Sequence, residues 1–122
     1  MIRISSNGII TVNRGDSFDL PILLRIGTSM DKDCYKLTSK DIIYVGIMQP
    51  NQPFETAILR KKFVYSDLDT SGNIVIHFKP SDTACLLPGK YYYQVKLEMY
   101  DVELNDWRVE TIIDKTLFYI KE

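Results

Sequence analysis

The chain has 122 residues and a formal net charge of −1, with fifteen basic side chains against sixteen acidic ones. So even a balance gives no general attraction to nucleic acid or to an anionic membrane, and no run reaches the roughly 18 apolar residues of a membrane-crossing helix. Alanine is nearly absent: two residues, against fifteen isoleucines, seven valines, eight threonines and fourteen aromatics. Alanine favours helices, whereas β-branched and aromatic side chains suit pleated surfaces, so the composition predicts an all-β protein. A chain of this length buries about two-thirds of its surface, which makes residues 1–122 one self-sufficient domain without a disulfide framework or structural metal. The opening MIRISSNGII lacks the apolar run of a signal peptide, which predicts synthesis and folding in a cytoplasm.

In chain order, Gly8 to Val12 reads as a first strand, with Ile2 to Ser5 before it, and Asn13-Arg14-Gly15-Asp16 as a turn. Phe18, Leu20, Ile22, Leu24 and Ile26 then alternate with Ser17, Asp19, Pro21, Leu23 and Arg25, predicting a ten-residue strand with one apolar face. Pro21 lacks an N–H, so it marks an unpaired edge or a bulge. Residues 27–40 are polar and turn-rich. Asp41 to Met48 is apolar at both parities, predicting a central strand with both faces covered or one face against a partner. Gln49 to Pro53 holds two prolines and reads as a loop. Ala57 to Tyr65 and Asn73 to Lys79 read as a hairpin around 67–72, and 82–89 as a corner with one helical turn from Ser81. Tyr91, Tyr93, Val95, Leu97 and Met99 alternate with Lys90, Tyr92, Gln94, Lys96 and Glu98. After a hairpin tip at Asp101 to Asp106, Trp107 to Ile120 is too long for one undistorted strand. Its apolar parity shifts at Asp114-Lys115, which predicts a bulge. Seven or eight strands in this order predict an Ig-like antiparallel β-sandwich.

The chemical motifs are weak. Asp67-Leu68-Asp69-Thr70-Ser71-Gly72-Asn73-Ile74 resembles the front half of an EF-hand loop. Position 12 is Phe78, which cannot ligate, and no helical pattern flanks it, so the segment reads as a turn. Arg14-Gly15-Asp16 spells an adhesion tripeptide but also supplies what a turn before a strand requires. Cys34 and Cys85 have no CxxC spacing, and with one histidine in the chain a zinc site is not expected; both read as reduced thiols, with a disulfide between them as the alternative, and Cys85 as a small buried residue. His77 falls opposite the parity of Ile76 and Phe78, facing solvent, with no nucleophile motif to serve. Arg60-Lys61-Lys62 reads as edge-guarding charge, with polyanion binding as the sharper alternative. No catalytic site, metal or cofactor is expected. Exposed aromatics remain. Tyr92 and Gln94 share the outward parity, and Tyr100 and Trp107 flank the hairpin tip, so these four are the candidate interaction surface.

The stretch Thr83-Ala84-Cys85-Leu86-Leu87-Pro88-Gly89-Lys90-Tyr91-Tyr92-Tyr93-Gln94-Val95-Lys96-Leu97 resembles the penultimate strand of Ig-like domains in bacteriophage tail and baseplate proteins. The nearest likeness is to the N-terminal domain of phage baseplate upper proteins. Arg14 to Leu20 resembles the opening segment of that domain, Asp41 to Val45 its central strand, Ser71 to Ile76 the strand before the corner, and Thr111 to Ile120 its closing strand. Those proteins are larger, and the domain is only their first part. The resemblance implies a non-enzymatic virion structural protein: a baseplate or tail, fibre-anchoring or capsid-associated component. Its partners would be other virion proteins, in multiple copies, with neither nucleic acid nor membrane. The alternative is a carbohydrate-binding or host-adhesion module, in which Tyr92, Tyr100 and Trp107 would stack on a glycan.

Overall fold

The computed structural model describes residues 3–4, 8–22, 25–26, 33–34, 37–68, 70 and 73–122. Their strands are β1 (Arg3–Ile4), β2 (Ile10–Asn13), β3 (Phe18–Ile22), β4 (Arg25–Ile26), β5 (Asp33–Cys34), β6 (Ile42–Met48), β7 (Leu59–Val64), β8 (Ile74–Phe78), β9 (Gly89–Asp101) and β10 (Asp106–Lys121), with one short helix, α1 (Pro80–Ala84). Seven of these strands have four residues or more. One sheet runs β1-β2-β10-β9-β6-β7, and β3-β8 and β4-β5 form two-stranded sheets. The protein is an all-β sandwich. From β2 to β7 its large sheet has the order of the A′, G, F, C and C′ strands of an Ig-like domain, and β3 and β8 stand as B and E. The expectation of wholly antiparallel pairing is corrected at one place: β2 runs parallel to β10, Ile10 facing Phe118 and Asn13 facing Lys121.

Alternation decides which side chains enter the core. Phe18, Leu20 and Ile22 on β3 and Ile74, Ile76 and Phe78 on β8 face Ile43, Val45, Ile47, Tyr91, Tyr93, Val95, Leu97, Phe118 and Ile120 of the large sheet, and all are buried. Phe18 stacks on its cross-strand partner Phe78 at 4.4 Å and meets Phe118 of the other sheet at 6.1 Å; Phe118 in turn meets Tyr93 edge-on at 6.3 Å. Such ring pairs add about 0.5–1.5 kcal/mol each beyond their buried area. Of these pairs, Phe18–Phe118 joins the two sheets. At the start of β9 the Tyr91 hydroxyl donates to the Leu87 carbonyl, four residues earlier, at 2.6 Å. That is the tyrosine corner of Ig-like sandwiches, formed here by the corner segment 82–89. The Tyr93 hydroxyl donates to the Gly8 carbonyl at 2.6 Å, and burial pushes its pKa up.

Several expectations are corrected. The strand expected over 17–26 is seen at Phe18–Ile22 and Arg25–Ile26, residues 23 and 24 lying outside the described residues, and it changes partner: the first part pairs with Ile74–Phe78 and the second with Asp33–Cys34. The hairpin expected between 57–65 and 73–79 does not form: β7 pairs with β6 in the large sheet and β8 with β3 in the small one. Strands β7 and β8 thus belong to different layers. Cys85 is exposed rather than buried, because the chain leaves α1 there along the surface. The EF-hand-like segment includes residues 69, 71 and 72, which lie outside the described residues; Asp67 beside them uses its carboxylate to accept the Val64 N–H at 3.0 Å.

Other expectations hold. The bulge in the last strand falls between Thr111 and Thr116, where the β9 register shifts twice. Strand β6 is central, paired on both sides, and its outward face is partly roofed by the chain itself. Pro53 starts a 3-10 turn at Phe54–Thr56 that lays the Phe54 ring over Gly46. A Cβ at Gly46 would stand 2.6 Å from Phe54 Cε2, so glycine makes this seat. The ring lies 5.2 Å from the Arg60 guanidinium and 5.1 Å from the Lys96 ammonium. Lys115 Nζ clips the roof by donating to the Gln52 carbonyl at 2.9 Å.

Candidate functional site

Strands β9 and β10 stay paired from Gly89 opposite Ile120 out to Asp101 opposite Asp106. The small sheet supports the inner end of this ladder: Tyr91, Tyr93, Val95 and Leu97 are buried. At the outer end, which forms an arm, the β10 side of the ladder stands in solvent, while Glu98 to Asp101 of β9 are half-buried. From Asp106 to Thr111 every residue of β10 is exposed except the half-buried Glu110. Strand β2 covers the far edge of β10 only over Phe118–Lys121. Between Asp106 and Ile113, β10 has β9 on one side and no strand on the other among the described residues.

The arm ends in a turn that the sequence organises closely. Asp101 Oδ1 accepts the N–H groups of Glu103 at 3.0 Å and Leu104 at 3.3 Å, and Oδ2 accepts from Arg108 at 3.3 Å. The Leu104 N–H does most to lower the pKa of this carboxyl, and the Arg108 and Glu103 bonds add to it, together outweighing desolvation. Asn105 takes the left-handed backbone conformation, φ 52°, which asparagine tolerates better than most residues. Its side-chain oxygen accepts the Tyr100 hydroxyl, and Asp106 Oδ1 accepts the Trp107 N–H at 2.7 Å. The second Arg108 nitrogen bonds Glu110 at 2.7 Å.

A turn held this way presents apolar side chains with little left to order. Val102 is 80% exposed, Leu104 67%, Val109 60% and Trp107 47%. Trp107 and Val109 lie on one face of β10, and Tyr100 meets Trp107 edge-on at 5.4 Å with the Lys40 ammonium 5.0 Å from the tyrosine ring. Apolar groups clustered outside the core on a rigid support are the mark of a docking surface.

Of the four residues expected to form one surface, Tyr100 and Trp107 come together here. Tyr92 and Gln94 do not: eight positions of strand separate Tyr92 from Tyr100, about 26 Å at the usual rise. Gln94 faces outward but is buried, its amide 3.4 Å from Asp114 Oδ1. Tyr92 is half-buried, with the Lys90 ammonium 5.7 Å from its ring. Sequence reasoning missed Val102, Leu104 and Val109. The signal was present: two apolar residues inside the polar turn DVELND, and a valine two positions after the tryptophan, on its face.

The other motifs take ordinary places. Gly15 has φ +81° as its turn requires, its N–H donates to the buried Thr83 hydroxyl at 2.9 Å, and Arg14 pairs with Glu122 at 3.0 Å. His77 is exposed on β8, 2.6 Å from Asp19 across the strand pair. In the basic run, Lys61 turns inward to Asp82 at 2.6 Å and lies over the Phe78 ring, while Arg60 and Lys62 face outward beside Tyr44. Burial and then the neighbouring Glu98, which accepts the Tyr44 hydroxyl at 3.3 Å, push the Tyr44 pKa up, against a smaller lowering effect of Arg60. An open concavity of about 360 Å³ between Pro21–Ile22 and Asn73–Val75 abuts residues outside the described set. Among the described residues, no group of three or more His, Cys, Asp or Glu is arranged to hold a metal ion, and no helix is long and apolar enough to cross a membrane. Comparison of the chain with protein-family models, with curated proteins and with solved structures finds no match.

Proposed function

We propose that this protein is a non-enzymatic assembly module, a structural component of a phage virion, that docks onto neighbouring protein subunits through the protruding β9–β10 arm. The observation that carries the reading is the arm itself. Four exposed apolar side chains, Val102, Leu104, Trp107 and Val109, sit on a turn already fixed by Asp101 and Asn105. Preorganisation lowers the entropy cost of docking, and repetition in a symmetric particle lets individually weak contacts hold. The virion assignment is supported by the resemblance of the 14–20, 41–45, 71–76, 83–97 and 111–120 segments to phage Ig-like domains.

Mass spectrometry of purified particles from the phage encoding this chain tests the assignment. The expected result is the chain in stoichiometric amount; its absence from particles while abundant in infected cells would sink the reading. The adhesion alternative has its own outcome. Binding on a glycan array that is lost in Trp107→Ala would move the arm's role from subunits to sugars.

A further inference from the structure

We infer that the edge of β10 that no strand among the described residues covers is a self-association site, at which a second copy of this chain adds its own β10 antiparallel, centred on Val109. The inference rests on the assembly reading above and names the partner. Two edges of the large sheet are treated differently: the outer strand β7, and the stretch of β10 beyond the reach of β2. At the first, β7 carries Arg60, Lys61 and Lys62 in succession, the kind of charge that keeps edge strands apart. At the second, β10 from Asp106 to Ile113 has no proline or glycine, and its one cation, Arg108, is bonded to Asp101 and Glu110. This edge is guarded more lightly than β7, by the acids Asp106 and Glu110 and the bulge after Thr111.

The order of charges selects the occupant. Arg108, Val109 and Glu110 are consecutive. When two copies of β10 pair antiparallel about Val109, Arg108 of each faces Glu110 of the other on one side of the joined sheet. On the other side the two Val109 side chains meet, and Trp107 faces Thr111 of the second copy. Directly opposed unlike charges and apolar pairs are the arrangements that favour strand pairing. The contact is two-fold and self-complementary, as a closed dimer requires. An unrelated strand would need a matching acid and base in the reverse order, which the chain already provides for itself.

Sedimentation velocity on the full chain tests this. A short strand pair buries a small area, so dimers should appear only at high concentration, roughly 0.1 mM and above, and weaken as salt rises. Arg108→Glu places two carboxylates opposite each other in both pairs, and Glu110→Arg places two cations there. Each variant alone should dimerise at least tenfold more weakly than wild type. A mixture of the two variants should form a heterodimer, because every opposed pair is then complementary. Circular dichroism of each variant checks that the fold is retained. Wild type that stays monomeric at about 0.5 mM, where even the weak interfaces of this size class associate, would overturn the inference. So would charge reversals that leave dimerisation unchanged, or a mixture that fails to pair. Finding a monomer in solution while the chain is present in particles would remove this partner and leave the assembly reading standing.

Discussion

Two side-chain arrangements show how single residues fix this sandwich. Gly46 leaves room for the Phe54 ring, which otherwise would meet a Cβ at 2.6 Å. Gly46→Ala should cost about 1–3 kcal/mol through overpacking, read as a lower urea midpoint; an unchanged midpoint would mean that the ring is not seated there. Asp82 joins the two layers from α1. Burial tends to raise its pKa, but the Lys61 ammonium at 2.6 Å and the Lys79 N–H at 2.7 Å outweigh that and hold it below the usual carboxylate value. A carboxyl with a depressed folded-state pKa contributes stability that is complete above its unfolded value and is lost as pH falls through the folded one. The stability gap between wild type and Asp82→Asn should therefore be full at pH 7 and close below about pH 4. Denaturant titrations of both proteins from pH 7 to pH 3 check this, and a constant gap would contradict it.

Elements were legible in the sequence where one periodicity ruled without competition. Strand β9 is the clearest case, since Tyr91, Tyr93, Val95 and Leu97 must share a buried face. The bulge at Asp114 showed itself as a change of parity. Pairing was less legible, because alternation tells a strand which face to bury and not which neighbour to take. Strands β7 and β8 follow each other with a turn-rich segment between them, which reads as a hairpin, yet Phe63 pairs with Ile43 and Ile76 with Leu20. The candidate site was half legible. Aromatics at the hairpin mouth, Tyr100 and Trp107, are visible as large residues near a turn. Val102 and Val109 carry a signal too, as apolar residues in and beside a polar turn, but alternation alone does not say how far out of the core they stand. Gln94 failed for the opposite reason: its outward parity was right, but the Phe54 segment lies over that part of the sheet.

The molecule as a whole is built on pairings between distant positions. Ile10 faces Phe118, Phe18 faces Phe78, and Tyr93 reaches back to Gly8. Few of these contacts form before long loops close, so refolding should be single-exponential on a scale of about milliseconds to seconds, slower than a helical bundle of this length. Stopped-flow fluorescence of Trp107 would measure it; a microsecond phase carrying the full amplitude would contradict the argument. The parallel register of β2 and β10 also gives the molecule a polarity. Arg3 pairs with Thr11, Thr11 with Tyr119, and Arg14 reaches Lys121 and Glu122. The first and last described residues thus gather at one pole. The sixteen residues of β10 then run to the opposite pole, a span of about 50 Å. Anything joined to either end of the described chain stands far from Leu104. The length of the β9–β10 ladder thus sets the distance between the described chain ends and the exposed side chains of the turn.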